Sequence, residues 1–274
     1  MMHSTNYAPD GSLLTGEDHE LAILAVSAAL EAGTVLLNSF SEPPRNVGTK
    51  EGPVDLVSDA DRESEAVILD RLKRERPGDT ITSEESGRIE GASGLHWLVD
   101  PLDGTHNFLR GMPLWCVSIA VTDDHGPRVG VVHDPLHDEC FLGIRGRGSS
   151  LNRRQMPAYA RSRDVDSFIL GGSCRRAAPA GSPRAIRLSR FVDTFANTRE
   201  LVAGALELAW TAAGRFDTLY HESKMKPVDA SAGMLLCSEA DLAVHSLLPA
   251  ADGERNRLLV CPPGLSEQLL SAVS

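Results

Sequence analysis

Residues 97–108 read WLVDPLDGTHNF. The opening residues suit a buried strand. The chain then turns polar, with acids at Asp100 and Asp103 and with Pro101, Gly104 and Thr105 around them. Proline cannot donate to a ladder, so an acid followed by proline is delivered to the edge of a sheet. Asp103-Gly104 turns the chain, and Thr105 can open a short helix whose free N–H groups suit an anion, phosphate being the commonest. Two readings stand at this point: an Asp-Gly turn with a capping acid, or half of a metal site.

The frame around this stretch is that of a globular protein. With 274 residues, 42% hydrophobic and 24% charged, the chain is long enough for one large or two small cores. A formal charge of −11 repels nucleic acid and anionic membranes, so neither is an expected partner. Acidity also fits carboxylates gathered around cations. Five cysteines at wide spacing, with no Cys-x-x-Cys, argue against a disulfide framework or a zinc ribbon and suit a reducing cytoplasm. Residues 1–20 lack a basic stretch followed by an apolar one and are not expected to be a signal peptide; residues 1–14 read as a loose tail. The longest apolar run, residues 21–30, is about half of a membrane span.

Periodicity places the elements. Leu21, Leu24, Ala28, Ala32 and Val35 form a helical face, with Thr15 and Asp18 resembling a capping box and Pro43-Pro44 as the stop. A second helix is expected over residues 59–76, with Asp61 in its first turn, where the helix dipole tolerates an anion. Five strand-like runs follow, at 80–83, 96–99, 116–122, 128–133 and 140–144, suggesting a largely antiparallel sheet beside the two helices. Beyond residue 150 the texture becomes alternating: a strand at 167–171 and helices at 183–196, 201–213 and 228–240. The expected division is an N-terminal α+β half, 1–150, and a C-terminal α/β half, 151–274.

Other acids stand at element ends. Ser83-Glu84-Glu85-Ser86 follows a strand, Asp61 starts a helix, and Asp229 stands in Lys226-Pro227-Val228-Asp229-Ala230-Ser231-Ala232-Gly233. Each alone reads as a solvated or capping acid. Together, Glu84, Asp100, Asp103 and Asp229 would repel one another unless cations filled the cluster. All-oxygen donors select hard ions, and a few carboxylates with substrate phosphate are the usual way of holding Mg²⁺.

The segments DLVSDAD (55–61), SEES (83–86), WLVDPLDGTHNF (97–108) and KPVDASAG (226–233) resemble, in order and spacing, the signature regions of the inositol monophosphatase family. The resemblance spans about residues 17–240, and DPLDGT is its most specific piece. It implies a layered α-β-α-β-α sandwich of the inositol monophosphatase and fructose-1,6-bisphosphatase type, in the α+β to α/β class. It also implies a homodimer that hydrolyses phosphate monoesters with two or three Mg²⁺ ions and is often inhibited by Li⁺. By motif position, one metal would be held by Glu84, Asp100 and the Leu102 carbonyl, and a second by Asp100, Asp103 and Asp229. Glu84 would thus be catalytic as a ligand, while Asp61 and Thr105 would orient the attacking water. The backbone N–H groups of Gly104 and Thr105 would hold the phosphoryl group. Asp103, Ser173, Glu222 and Asp229 fall where the family contacts substrate.

The departures lie on the substrate side. Val228 stands where the family has tryptophan, Val202-Ala203 replaces a Gly-Ser pair, and residues 239–242 replace an acid-alanine-glycine-glycine run. Residues 110–115, RGMPLW, look more like histidinol-phosphate phosphatases. The expected substrate is therefore a small phosphorylated metabolite: an inositol phosphate, polyol or sugar phosphate, or else histidinol phosphate or a nucleotide such as 3′-phosphoadenosine 5′-phosphate. A catalytically silent binding protein on the same fold is the non-enzyme alternative. A phosphodiesterase or nuclease is disfavoured by the charge and by the lack of a basic–aromatic groove.

Several signals are set aside. His133 and His137 have zinc-pair spacing, but Pro135 between them breaks the helix such a pair needs. Gly146-x-Gly148 lacks the third glycine of a dinucleotide loop and reads as a hairpin turn. Arg71, Lys73, Arg74 and Arg76 read as the solvated face and end of a helix.

Overall fold

The computed structural model describes residues 15–43, 45–49, 56–156, 168–172, 181–222, 225–247 and 257–273. The expected tail 1–14, Asp55, Ser173 and the start of the strand expected at 167–171 lie outside the described residues.

In chain order, the first half holds α1 (Glu17–Phe40), β1 (Gly48–Thr49), β2 (Leu56–Val57), α2 (Asp59–Glu75), β3 (Thr80–Ser83), β4 (Gly87–Ile89), β5 (His96–Asp103) and α3 (Thr105–Phe108). There follow β6 (Cys116–Asp123), β7 (Gly126–Asp134), β8 (Glu139–Ile144), β9 (Ser149–Leu151) and β10 (Arg154–Gln155). The second half holds β11 (Ile169–Gly171), α4 (Pro183–Val192), β12 (Asn197–Arg199), α5 (Gly204–Ala212), β13 (Thr218–His221), α6 (Pro227–Ser238), β14 (Ala243–Leu247), β15 (Arg257–Cys261) and α7 (Ser266–Val273).

Two large sheets and three helical layers stack as α-β-α-β-α, and β1 and β2 pair as a separate two-stranded ribbon. The first sheet has eight strands in the order β10-β9-β8-β7-β6-β5-β3-β4, antiparallel except where β3 runs parallel to β5. The second has five, β12-β11-β13-β15-β14, parallel at β12-β11-β13 and antiparallel beyond. The side-chain period of two decides the layering. Trp97, Val99, Val117, Ile119 and Val121 face α1 and α2, whereas Leu98, Cys116 and Ala120 face α5 and α6. In the second sheet Leu258 and Val260 face the same α5–α6 layer, while Leu259 and Cys261 pack under α4 and α7. The halves expected to divide near residue 150 thus share the α5–α6 core, and the first sheet runs on to Gln155.

Two close approaches set this layer. A Cβ on Gly130 of β7 would lie 2.9 Å from the Ala232 backbone, and one on Gly233 would lie 2.4 Å from Leu208. Glycine at these positions lets α6 sit down on the sheet and against α5.

The structure differs from the sequence reading at several ends. Gly16, at φ 68°, stands at the N-cap of α1 in place of the expected Thr15–Asp18 box. The Asp18 carboxylate is drawn instead to Arg128 Nε, at 2.7 Å. The helix expected at 201–213 starts only at Gly204, because Val202 is at φ 59°, outside the right-handed region. The helix at 183–196 ends at Val192. Arg71 and Arg76 are not simply solvated: they pair with Glu31 and Glu17 and tie α2 to α1. By length and hydropathy α1 is apolar enough to cross a membrane; here its residues Leu21, Leu24, Ala28, Ala32 and Leu36 are buried against α2 and the first sheet. Among the described residues Cys116, Cys140, Cys237 and Cys261 are free thiols.

Candidate active site

The opening stretch proves to be β5 from its second residue on, with its bulge, and α3. Strand β5 pairs with β6 through Asp100↔Ser118, and the register then shifts before Asp103↔Cys116. Such a bulge re-aims side chains at a strand end. On its other side, β3 runs parallel to β5, with Ser83 opposite Val99 and the Glu84 N–H donating to the Val99 carbonyl at 3.1 Å. Parallel pairing therefore brings Glu84 and Asp100 out of the same edge. Gly104, at φ 91°, closes the turn; a Cβ there would lie 2.8 Å from the Leu114 carbonyl oxygen, so only glycine fits.

The third carboxylate arrives with α6. Asp229 stands in the first turn of α6, where its Oδ2 accepts the Lys226 N–H at 3.0 Å. Carboxylate oxygens of Glu84, Asp100 and Asp229 lie within 4.8 Å of one another. Asp100 is only 2% exposed. Burial, followed by the charges of Glu84, Asp103 and Asp229, holds its carboxyl well above the usual carboxylate range. The Lys226 ammonium donates to Glu84 Oε1 at 3.3 Å, so a cation already rests against the cluster. Crowded, partly buried oxygen donors under mutual repulsion are a donor set for a hard divalent cation, and Mg²⁺ fits it.

Asp103 stands beside the trio but turns elsewhere. Its carboxylate accepts the N–H groups of Gly204 (3.2 Å), Ala205 (2.7 Å) and Leu206 (3.4 Å), capping α5. The N-cap residue Ala203 has no side chain for that task. Burial and the charge of Asp229 push the Asp103 carboxyl up to about 7, against the pull of the Ala205 and Leu206 amides. Burial and the nearby Asp103 charge push the Cys116 thiol up as well.

Asp61 and Thr105 meet: the Thr105 hydroxyl reaches Asp61 Oδ1 at 3.2 Å and the Leu102 carbonyl at 3.1 Å. One proton serves two acceptors, and Leu102 keeps a second lone pair. The other Asp61 oxygen accepts the Ser58 N–H and hydroxyl at 2.8 and 2.7 Å. Glu222 is buried at the end of β13. Beside it, His221 Nε2 lies 2.6 Å from Glu207, which also accepts the Leu201 N–H at 2.5 Å. Asn107 of α3 donates to the Leu201 and Leu114 carbonyls, both at 2.6 Å.

Sequence reasoning did not single out Ser58, Ser64, Glu65, Asn107, Glu207, His221 or the role of Lys226. Some signals were readable. Ser58 and Asp61 have capping-box spacing, and Ser64 and Glu65 follow Asp61 by three and four residues on one helical face. The Glu207–His221 pair joins a helix to a strand, and nothing local announces it.

Five layers with carboxylates gathered at strand ends have the build of a phosphatase of the superfamily that the motifs implied. The chain belongs to the inositol monophosphatase family, whose profile matches residues 17–272. Nus factor SuhB of Escherichia coli (strain K12) is 36% identical over 224 residues, 81% of this chain and 83% of that one. The inositol-1-monophosphatase of Mesorhizobium japonicum is 38% identical over 216 residues, 78% of this chain and 81% of that one. Among solved structures, the extragenic suppressor protein suhB from Bartonella henselae superposes with a TM-score of 0.83 at 32% identity, covering 93% of this chain and 98% of that one.

Proposed function

We propose that the protein is a Mg²⁺-dependent phosphomonoesterase acting on a small phosphorylated metabolite of the inositol phosphate, polyol or sugar phosphate kind. The observation that carries this reading is the meeting of Glu84, Asp100 and Asp229 within 4.8 Å, beside the Thr105–Asp61 pair. Glu84, Asp100 and Asp229 would hold Mg²⁺, with Asp103 and the Leu102 carbonyl at hand for a further ion. Bound there, Mg²⁺ would supply positive charge against the phosphoryl oxygens.

The chain's own residues do the rest. The Thr105 hydroxyl donates to Asp61, so its lone pairs are left to accept a hydrogen bond from a water and aim that water's oxygen. Ser58 fixes Asp61 from behind. The Gly104 and Thr105 N–H groups would hold the phosphoryl group, and Glu222 would accept from substrate hydroxyls. On the same reading the enzyme is a cytoplasmic homodimer, and lithium inhibits it.

The test is phosphate release from inositol 1-phosphate, histidinol phosphate, fructose 1,6-bisphosphate, 3′-phosphoadenosine 5′-phosphate and sugar phosphates. Each is run with Mg²⁺, with chelator, and with Asp100→Asn or Asp229→Asn. Release from at least one substrate that chelator and both variants abolish supports the reading. Release indifferent to chelator sinks it. No release from any substrate by a folded, cation-binding protein would favour the second reading, a silent binding protein; relatives named Nus factor SuhB give that reading its weight.

A further inference from the structure

Helix α2 presents Asp61, Ser64 and Glu65 from one face, all buried. Each grips a different segment of the site. Asp61 takes the Thr105 hydroxyl. The Ser64 hydroxyl donates to the Pro101 carbonyl at 2.8 Å, inside the bulge between Asp100 and Asp103. Glu65 Oε1 accepts the N–H groups of Glu85 at 3.2 Å and Ser86 at 2.9 Å, the two amides that follow Glu84.

Glu84 is therefore fixed on both sides: by its own N–H on Val99 and by the turn after it on Glu65. A buried carboxylate is a costly acceptor so near other acids. Its return is a pair of charge-assisted hydrogen bonds, stronger and more directional than a neutral acceptor would give. No peptide bond joins Glu65 to the loop, so this grip ties the helix directly to the turn that follows Glu84.

We propose that Glu65 is a positioning residue for the cation centre: by holding the Glu85 and Ser86 amides it sets the Glu84 carboxylate against Asp100 and Asp229, and so sets divalent-cation affinity. The proposal rests on the reading of Glu84, Asp100 and Asp229 as a cation site. A rival role for Glu65, as a remote negative charge attracting the cation, predicts a different pattern among its variants.

The experiment titrates Mg²⁺ into the full chain, stripped with chelator, by calorimetry. Glu65→Ala is expected to raise the Mg²⁺ Kd by about tenfold or more, the usual cost of losing a residue that orients a metal ligand. Glu65→Gln keeps an acceptor without the charge and is expected to stay within about threefold of wild type. The Mg²⁺ concentration for half-maximal phosphate release should follow the same order. Glu65→Ala binding as wild type does, or Glu65→Gln as weak as Glu65→Ala, overturns the proposal and leaves the cation site standing. Wild type taking up no Mg²⁺ ends the cation site and the proposal together. Should Glu65→Ala not fold, amide exchange in the wild type decides. Slow exchange at Glu85 and Ser86, slower still with Mg²⁺, supports the grip; exchange at the rate of a free loop overturns it.

Discussion

The Asp103 carboxylate accepts the Ala205 N–H at 2.7 Å and so caps a helix that begins a hundred residues further along the chain. An anion at this end meets the positive pole of α5 and satisfies amides that Ala203 leaves open. Asp103→Ala should therefore cost about 1–2 kcal/mol of stability, measured by urea unfolding in chelator at about pH 5, below the range in which ionising this buried carboxyl offsets its cap. Adding Ala203→Ser, which restores a capping hydroxyl, should regain about 1 kcal/mol. If the double variant is no more stable than the single one, the capping role of Asp103 is wrong.

The raised carboxyls give a pH dependence with a definite sign. An unfolded aspartate titrates near 3.9, whereas Asp103 in the fold titrates at about 7 and Asp100 also lies above its ordinary range. Between about pH 4 and pH 7 the folded chain thus binds more protons than the unfolded one, and these two groups lower its stability as pH rises. A cation replaces those protons. Mg²⁺ at a hundredfold over its Kd should add about 2.7 kcal/mol, and the Mg²⁺-induced rise in Tm should be larger at pH 8 than at pH 5. An equal rise at both would contradict the shifts.

Lys226 competes with any cation for Glu84. Lys226→Gln should tighten Mg²⁺ binding by about threefold, in keeping with the small worth of a partly exposed ion pair. Glu84→Gln should weaken it far more. Weaker Mg²⁺ binding by Lys226→Gln would mean that the lysine supports the site rather than competing in it.

Val202 sits at φ 59°, a conformation that a β-branched residue adopts only under strain. Val202→Gly should raise stability by about 1 kcal/mol, the relief of strain exceeding the entropy that glycine adds to the unfolded chain. Chemical denaturation reads this directly, and a loss of stability would show that Val202 contributes more by packing than it loses in its backbone.

The legibility of this fold divides by range. Strand 80–83 matched residue for residue, and the helix at 59–76 to within one, because period-two and period-3.6 patterns are local properties of a chain with one buried face. Strand β13 was not anticipated: it is buried at every residue and carries no alternation of its own.

By itself the sequence determined the inventory. It carried the four motifs, the acids at element ends, and the glycine that the turn after Asp103 requires. Only the tertiary structure decided the assembly. It set Glu84 beside Asp100 through parallel pairing of β3 with β5, and it brought in Asp229 by resting α6 on Gly130. It turned Asp103 toward α5 and gave Glu65 its grip on the loop behind Glu84. These are contacts between residues 16 to 145 positions apart, set by packing and register, and no local spacing encodes them.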